Sequence, residues 1–142
     1  MNPTSLKTIL IATLVIGIAA NVLDYLIHGL ILQSVYTGNA CFADLSGVAV
    51  TVWLIIADFV LALVFTVFYG KVQSSFTKSP AGVMVYGMIL ALVICIPANV
   101  MVALMIKGFP FWLCWAWTLA FVIEFAVYGL ILGFMTKPKT AA

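Results

Sequence analysis

Arginine is absent from this 142-residue chain, histidine occurs once, and only four side chains carry a carboxyl group. Charged residues make up 7% of the sequence and hydrophobic residues 66%, with a mean hydropathy of +1.30. That balance excludes a soluble domain, which would have too little polar surface to face water. A formal net charge of +2, spread over scattered lysines, leaves no basic patch for nucleic acid, and none is expected as a partner. The three cysteines include no Cys-x-x-Cys pair, which argues against a thiol oxidoreductase. A serine or cysteine nucleophile needs a base within hydrogen-bond reach. His28 is the only histidine and no serine can be placed beside it, so the chain reads as non-enzymatic, with no resident cofactor.

What the chain does have is long apolar runs. Four of them meet the length of roughly 20 residues needed to cross about 30 Å of hydrocarbon. They cover residues 8–32, 48–69, 82–106 and 111–135, and they leave no stretch for a soluble domain. The expected fold is therefore all-α: a single integral-membrane domain over residues 1–142, built as a four-helix bundle. The first run also has the outline of a signal peptide, with Lys7, an apolar core from Ile9 to Ile18 and small residues at Ala19 and Ala20. Because the apolar run continues to Leu32, it is read as a retained helix.

Without arginine, the lysines alone set the orientation. Lys7, Lys71, Lys78, Lys137 and Lys139 fall on one side, whereas the other side holds Lys107 and Asp44. The positive-inside rule places both termini in the cytoplasm, in a membrane of the bacterial inner type. Trp53, Trp112, Trp115 and Trp117 all lie near the outer helix ends, like one side of an aromatic belt. Cys41 and Cys114 fall on the same outer side and are candidates for a disulfide where that compartment is oxidising. Turns are marked by Thr37-Gly38-Asn39, Ser46-Gly47, Gly70 to Pro80 and Gly108-Phe109-Pro110, so sequential helices should be antiparallel neighbours. Pro97, inside the third run, should kink it and free the carbonyl of Val93. Gly129 and Gly133 form a Gly-x-x-x-Gly pair suited to a dimer face, and the apolar exterior suits a homodimer or docking onto a larger membrane complex.

Three of the four carboxyls, Asp24, Asp58 and Glu124, sit inside these runs. Ionisable groups in lipid are expensive and usually mark function. Counting about 1.5 Å per residue from the cytoplasmic lysines puts Asp58 and Glu124 about 20 Å up and Asp24 about 26 Å up. His28 and Asn99 come out near 32 Å on the same scale. Helical spacing aligns Asn21, Asp24, Tyr25 and His28 on the first helix and Trp117, Glu124 and Tyr128 on the fourth. Thr51, Asp58 and Thr66 share a face on the second, as do Cys95 and Asn99 on the third. These stripes should turn inward and meet, giving a polar centre of Asp24, His28, Asp58, Glu124, Asn21, Asn99 and Tyr128. Such a centre suits proton- or cation-linked transport or binding. Asp24, His28, Asp58 and Glu124 also form a donor set for one divalent metal, since imidazole plus carboxylates suits zinc, manganese or iron. The competing reading is an accessory or structural membrane subunit, in which the polar groups hydrogen-bond across helices and fix their packing.

Paired aspartates in a four-helix membrane protein bring lipoprotein signal peptidases to mind, but Ile55-Ile56-Ala57-Asp58 lacks the asparagine and small residues of their second motif. The segments Tyr25-Leu-Ile-His-Gly-Leu-Ile-Leu32 and Val127-Tyr-Gly-Leu-Ile-Leu-Gly133, with the basic tail, carry a different likeness. Through them the chain resembles a broad group of uncharacterised small bacterial four-helix membrane proteins. At the level of architecture it is also similar to the small multidrug-resistance transporters, with Asp24 at the place of their first-helix acid. It departs from them in having three membrane carboxyls and a strong lysine asymmetry. Asp24–Leu32 also echoes Glu124–Leu132, acid for acid. A duplicated two-helix hairpin would match the first helix to the third, so the echo reads as coincidence.

Overall fold

A computed structural model describes residues 2–42 and 47–136. Asp44, Ser46, Lys137 and Lys139, which enter the sequence reading, lie outside the described residues. Five α-helices follow one another with no strand among the described residues: α1 (Leu6–Asp24), α2 (Gln33–Thr37), α3 (Val48–Val72), α4 (Pro80–Met105) and α5 (Phe111–Thr136). A π-helical segment, Tyr25–Ile31, continues α1, and a single 3-10 turn, Gln73–Ser75, ends α3. Four helical stretches are long and apolar enough to cross a membrane: Leu6–Ile31, Val48–Ser75, Pro80–Met105 and Phe111–Thr136. The all-α, four-helix membrane bundle expected from composition is the observed fold.

Local chemistry sets the helix starts. Ser5 caps α1, its hydroxyl accepting from the Thr8 N–H at 3.2 Å. Ser79 does the same for α4 through the Gly82 N–H at 3.1 Å, with Pro80 in the first helical turn, where its missing N–H costs nothing. Gly108 turns the chain between α4 and α5 with φ 83°, a conformation that suits glycine alone. Pro97 sits inside α4, which continues as a helix through it, and both Pro97 and Val93 lie on its exposed side.

The helices pack as two close pairs. Backbones approach tightly between α4 and α5 and between α1 and α3, and α1 also touches α5. Glycine makes the α4–α5 approach: a Cβ at Gly87 would fall on the carbonyl of Phe125, and one at Gly129 on the carbonyl of Val83. A Cβ at Gly133 would lie 2.6 Å from the Cα of Pro80. The Gly129–Gly133 pair is therefore taken up inside the chain, against α4, rather than offered as a dimer face. Between α3 and the α4–α5 pair, large rings fill the space. Phe65 meets Tyr86 at 5.0 Å and Phe125 edge-on at 5.6 Å, and the Tyr86 hydroxyl donates to the Phe65 carbonyl at 2.9 Å.

A second, outer cluster gathers Phe109, Leu113 and Cys114, with Tyr36, Cys41, Phe42 and Trp117 packed against it. Cys41 and Cys114 share this cluster as free thiols, with no disulfide between them. Trp53, Trp112 and Trp115 are exposed at the helix ends, as a belt requires. Trp117 departs from that pattern and turns into the cluster, where its indole N–H finds a partner on Tyr36.

Candidate functional site

Asp24 ends α1, His28 lies in the π-helical segment, Asp58 is midway along α3, and Glu124 is midway along α5. One ligand atom each from Asp24, His28 and Glu124 fall within 4.8 Å of one another. Asp58, 9% exposed, stands beside Asp24 from the α3 side, with the two carboxyls in hydrogen-bonding reach. The Asp24 carboxyl is likewise in reach of Glu124. Two ionised carboxylates only accept, so such a contact becomes a hydrogen bond only when one of them carries a proton.

Glu124 is the most enclosed of the three, at 1% exposure. The Tyr128 hydroxyl, one turn along the same helix, donates to its Oε2 at 3.5 Å, a long bond. Its Oε1 is buried with no hydrogen-bond donor among the described residues. Buried polar atoms are normally partnered, and one left without a donor marks either strain or a place for a ligand.

The π-helical segment decides which side chains face this centre. The Leu32 N–H bonds back five residues to the Ile27 carbonyl at 2.8 Å, which closes a wider turn than the α-helical one. Each residue of a wider turn advances by a smaller angle, so His28 comes round on the opposite side of Asp24 from Tyr25. The four-residue stripe read from helical spacing is thereby split. Asp24 and His28 face Glu124. Tyr25 is 63% exposed, and the Asn21 amide donates to its own helix, at the Gly17 carbonyl, 2.8 Å away. Asn21 and Tyr25 line an apolar groove with Ile18, Val22, Leu26 and Phe59, away from the acids.

Asn99 is also set apart. Its amide donates to the Thr118 hydroxyl at 3.1 Å, and Thr118 in turn donates to the Cys114 carbonyl at 2.8 Å. This pair ties α4 to α5. Thr66 donates to the Ala62 carbonyl, and Thr51 is exposed. Of the sequence-derived centre, then, Asp24, His28, Asp58, Glu124 and Tyr128 come together, while Asn21 and Asn99 make hydrogen bonds elsewhere.

Two further residues join the site from the side of the second cluster. Nδ1 of His28 lies 2.5 Å from the Tyr36 hydroxyl on α2, and the Trp117 indole N–H donates to the same hydroxyl at 2.8 Å. Burial holds the Tyr36 phenol above the ordinary tyrosine range, outweighing the opposite effect of the Trp117 hydrogen bond. The Tyr36 oxygen has a second lone pair beyond the one that accepts the indole N–H, so it can accept from Nδ1–H of His28 as well as donate to Nδ1. The tautomer in which Nδ1–H donates to the Tyr36 oxygen leaves Nε2 with a free lone pair. Tyr36 carries no local sequence signal: it lies eight residues from His28, on the short helix that follows the π-helical segment.

No family model, curated protein or solved structure matches the chain. The acids of the internal echo, Asp24 and Glu124, are the pair that meet, but Asp24 is followed by a π-helical segment and Glu124 by α-helix, so the two stretches do not share a conformation.

Proposed function

We propose that this chain is a multi-pass membrane protein that binds a small cation at an intramembrane centre of Asp24, His28 and Glu124, as a step in proton- or cation-linked transport. One observation supports this above the others: two carboxyls and an imidazole from different parts of the fold converge within 4.8 Å, around a buried Glu124 oxygen that has no donor. Groups that merely fixed helix packing would be expected to satisfy one another, as Asn99 and Thr118 do. The apolar runs that carry the acids hold no lysine or arginine, so the acids either keep protons or meet a cation from outside the chain.

The lysine distribution supports placing both termini in the cytoplasm of a bacterial inner membrane. The test of function is reconstitution. Wild-type protein in liposomes should pass protons or cations down an imposed gradient, and Asp24→Asn and Glu124→Gln should reduce the rate to that of empty liposomes. If wild-type vesicles are no leakier than empty ones, and the substitutions change only thermal stability, the centre is a packing device and the structural-subunit reading replaces this one.

A further inference from the structure

Beyond a cation in general, we infer that the Asp24–His28–Glu124 centre takes one divalent transition-metal ion, such as zinc, manganese, iron or cobalt, with Tyr36 as the residue that orients His28. This rests on the cation-binding reading above and names its substrate class.

Three features of the site select that class. The first is charge. Two carboxylates and a neutral imidazole carry two negative charges, which a dication cancels in full while Asp58, in hydrogen-bonding reach of Asp24, keeps a proton. A monovalent ion would leave one negative charge stranded in a low-dielectric interior. The second is donor type. Calcium and magnesium are held by oxygen ligands alone, whereas imidazole nitrogen with carboxylate oxygen suits the first-row transition metals. The third is the support behind the histidine. A metal-bound histidine normally has its second nitrogen tied to a hydrogen-bond partner that fixes the ring. Here that partner is already present: Tyr36 on Nδ1, itself held by the Trp117 indole. His28 also stacks on Tyr36 with the ring planes 14° apart. Glu124 supplies the independent sign of a ligand, being 1% exposed with Oε1 lacking a donor.

The chemistry is exchange without electron transfer. The ion takes the Nε2 lone pair of His28 and one oxygen from each of Asp24 and Glu124. The ring proton sits on Nδ1, donated to the Tyr36 oxygen, so the imidazole stays neutral, and any proton shared between the two carboxyls leaves to solvent. Uptake therefore releases protons and weakens as the solution becomes more acidic.

The experiment uses the full chain in lipid nanodiscs, dialysed against Co²⁺ with Mg²⁺ as competitor, and reads bound cobalt by elemental analysis and by its visible ligand-field bands. One Co²⁺ per chain is expected, not displaced by excess Mg²⁺ and lost in Asp24→Asn and Glu124→Gln. His28→Ala should remove the bands. Tyr36→Phe keeps all three ligands, so it should still bind but roughly 10–100-fold more weakly, the usual cost of removing a ligand's supporting hydrogen bond. No saturable cobalt uptake by folded wild-type protein would overturn the inference, as would uptake indifferent to His28→Ala or displacement by equimolar Mg²⁺. Should reconstituted vesicles conduct protons or alkali cations through Asp24 and Glu124 while no cobalt binds, the cation centre stands and this assignment alone falls. Failure of both measurements removes both.

Discussion

Glu124 is held at a cost. A carboxyl that is 1% exposed and leaves one oxygen without a donor loses hydration it does not regain from the protein. Replacing it by glutamine exchanges an acceptor for an amide that can donate to the neighbouring Asp24. Glu124→Gln is expected to raise stability by about 1–3 kcal/mol, the usual worth of satisfying a buried polar group, while abolishing cation binding. Thermal unfolding in detergent checks this, and a lower melting temperature would count against a poised ligand site. The acids themselves were legible in the sequence because carboxyls are so rare in apolar runs. Tyr36 was not, since nothing in a tyrosine between two apolar runs reveals that a hydrogen bond from Trp117 will hold it against His28.

Among the elements, three of the four spanning helices lie within two residues of the apolar runs at both ends, because long apolar runs permit little else. The exception is the C-terminal end of the second span: the expected end at 69 gives way to a helix that continues to Val72 and a 3-10 turn to Ser75. Facing was less legible. A uniform 3.6-residue period aligns Asn21 and Tyr25 with Asp24 and His28, but the widened turn at Tyr25–Ile31 sends the two sets to different sides. The role of Gly129 also needed the structure, since the same spacing serves a dimer face or an internal seam. Its place against the Val83 carbonyl predicts that Gly129→Leu drives α4 and α5 apart and destabilises the monomer by about 1–3 kcal/mol or more. Denaturant unfolding of dilute protein reads the effect. A variant that unfolds like wild type but loses only self-association would restore the dimer-face reading.

For the whole molecule, the lysine asymmetry makes a prediction that needs no knowledge of the site. A C-terminal fluorescent-protein fusion should glow, and a C-terminal alkaline phosphatase fusion should be inactive, because both report a cytoplasmic end. The reverse pattern would invert the molecule and put Tyr36 and Trp117 on the cytoplasmic face. Equal signals from both fusions would point to a dual topology.

The two helix pairs are joined through α1 and α5, and the acids divide along the same line: Asp24, His28 and Asp58 on one pair, Glu124 on the other. An ion shared between Asp24 and Glu124 is thus a clasp across two leaves, each stiffened by its own close packing. Rings of Phe65, Tyr86 and Phe125, which can slide over one another more easily than interlocked glycine backbones, form the rest of the joint. On the proposed reading, loading the ion would draw the two leaves together and losing it would free them to move, so occupancy and movement would be coupled.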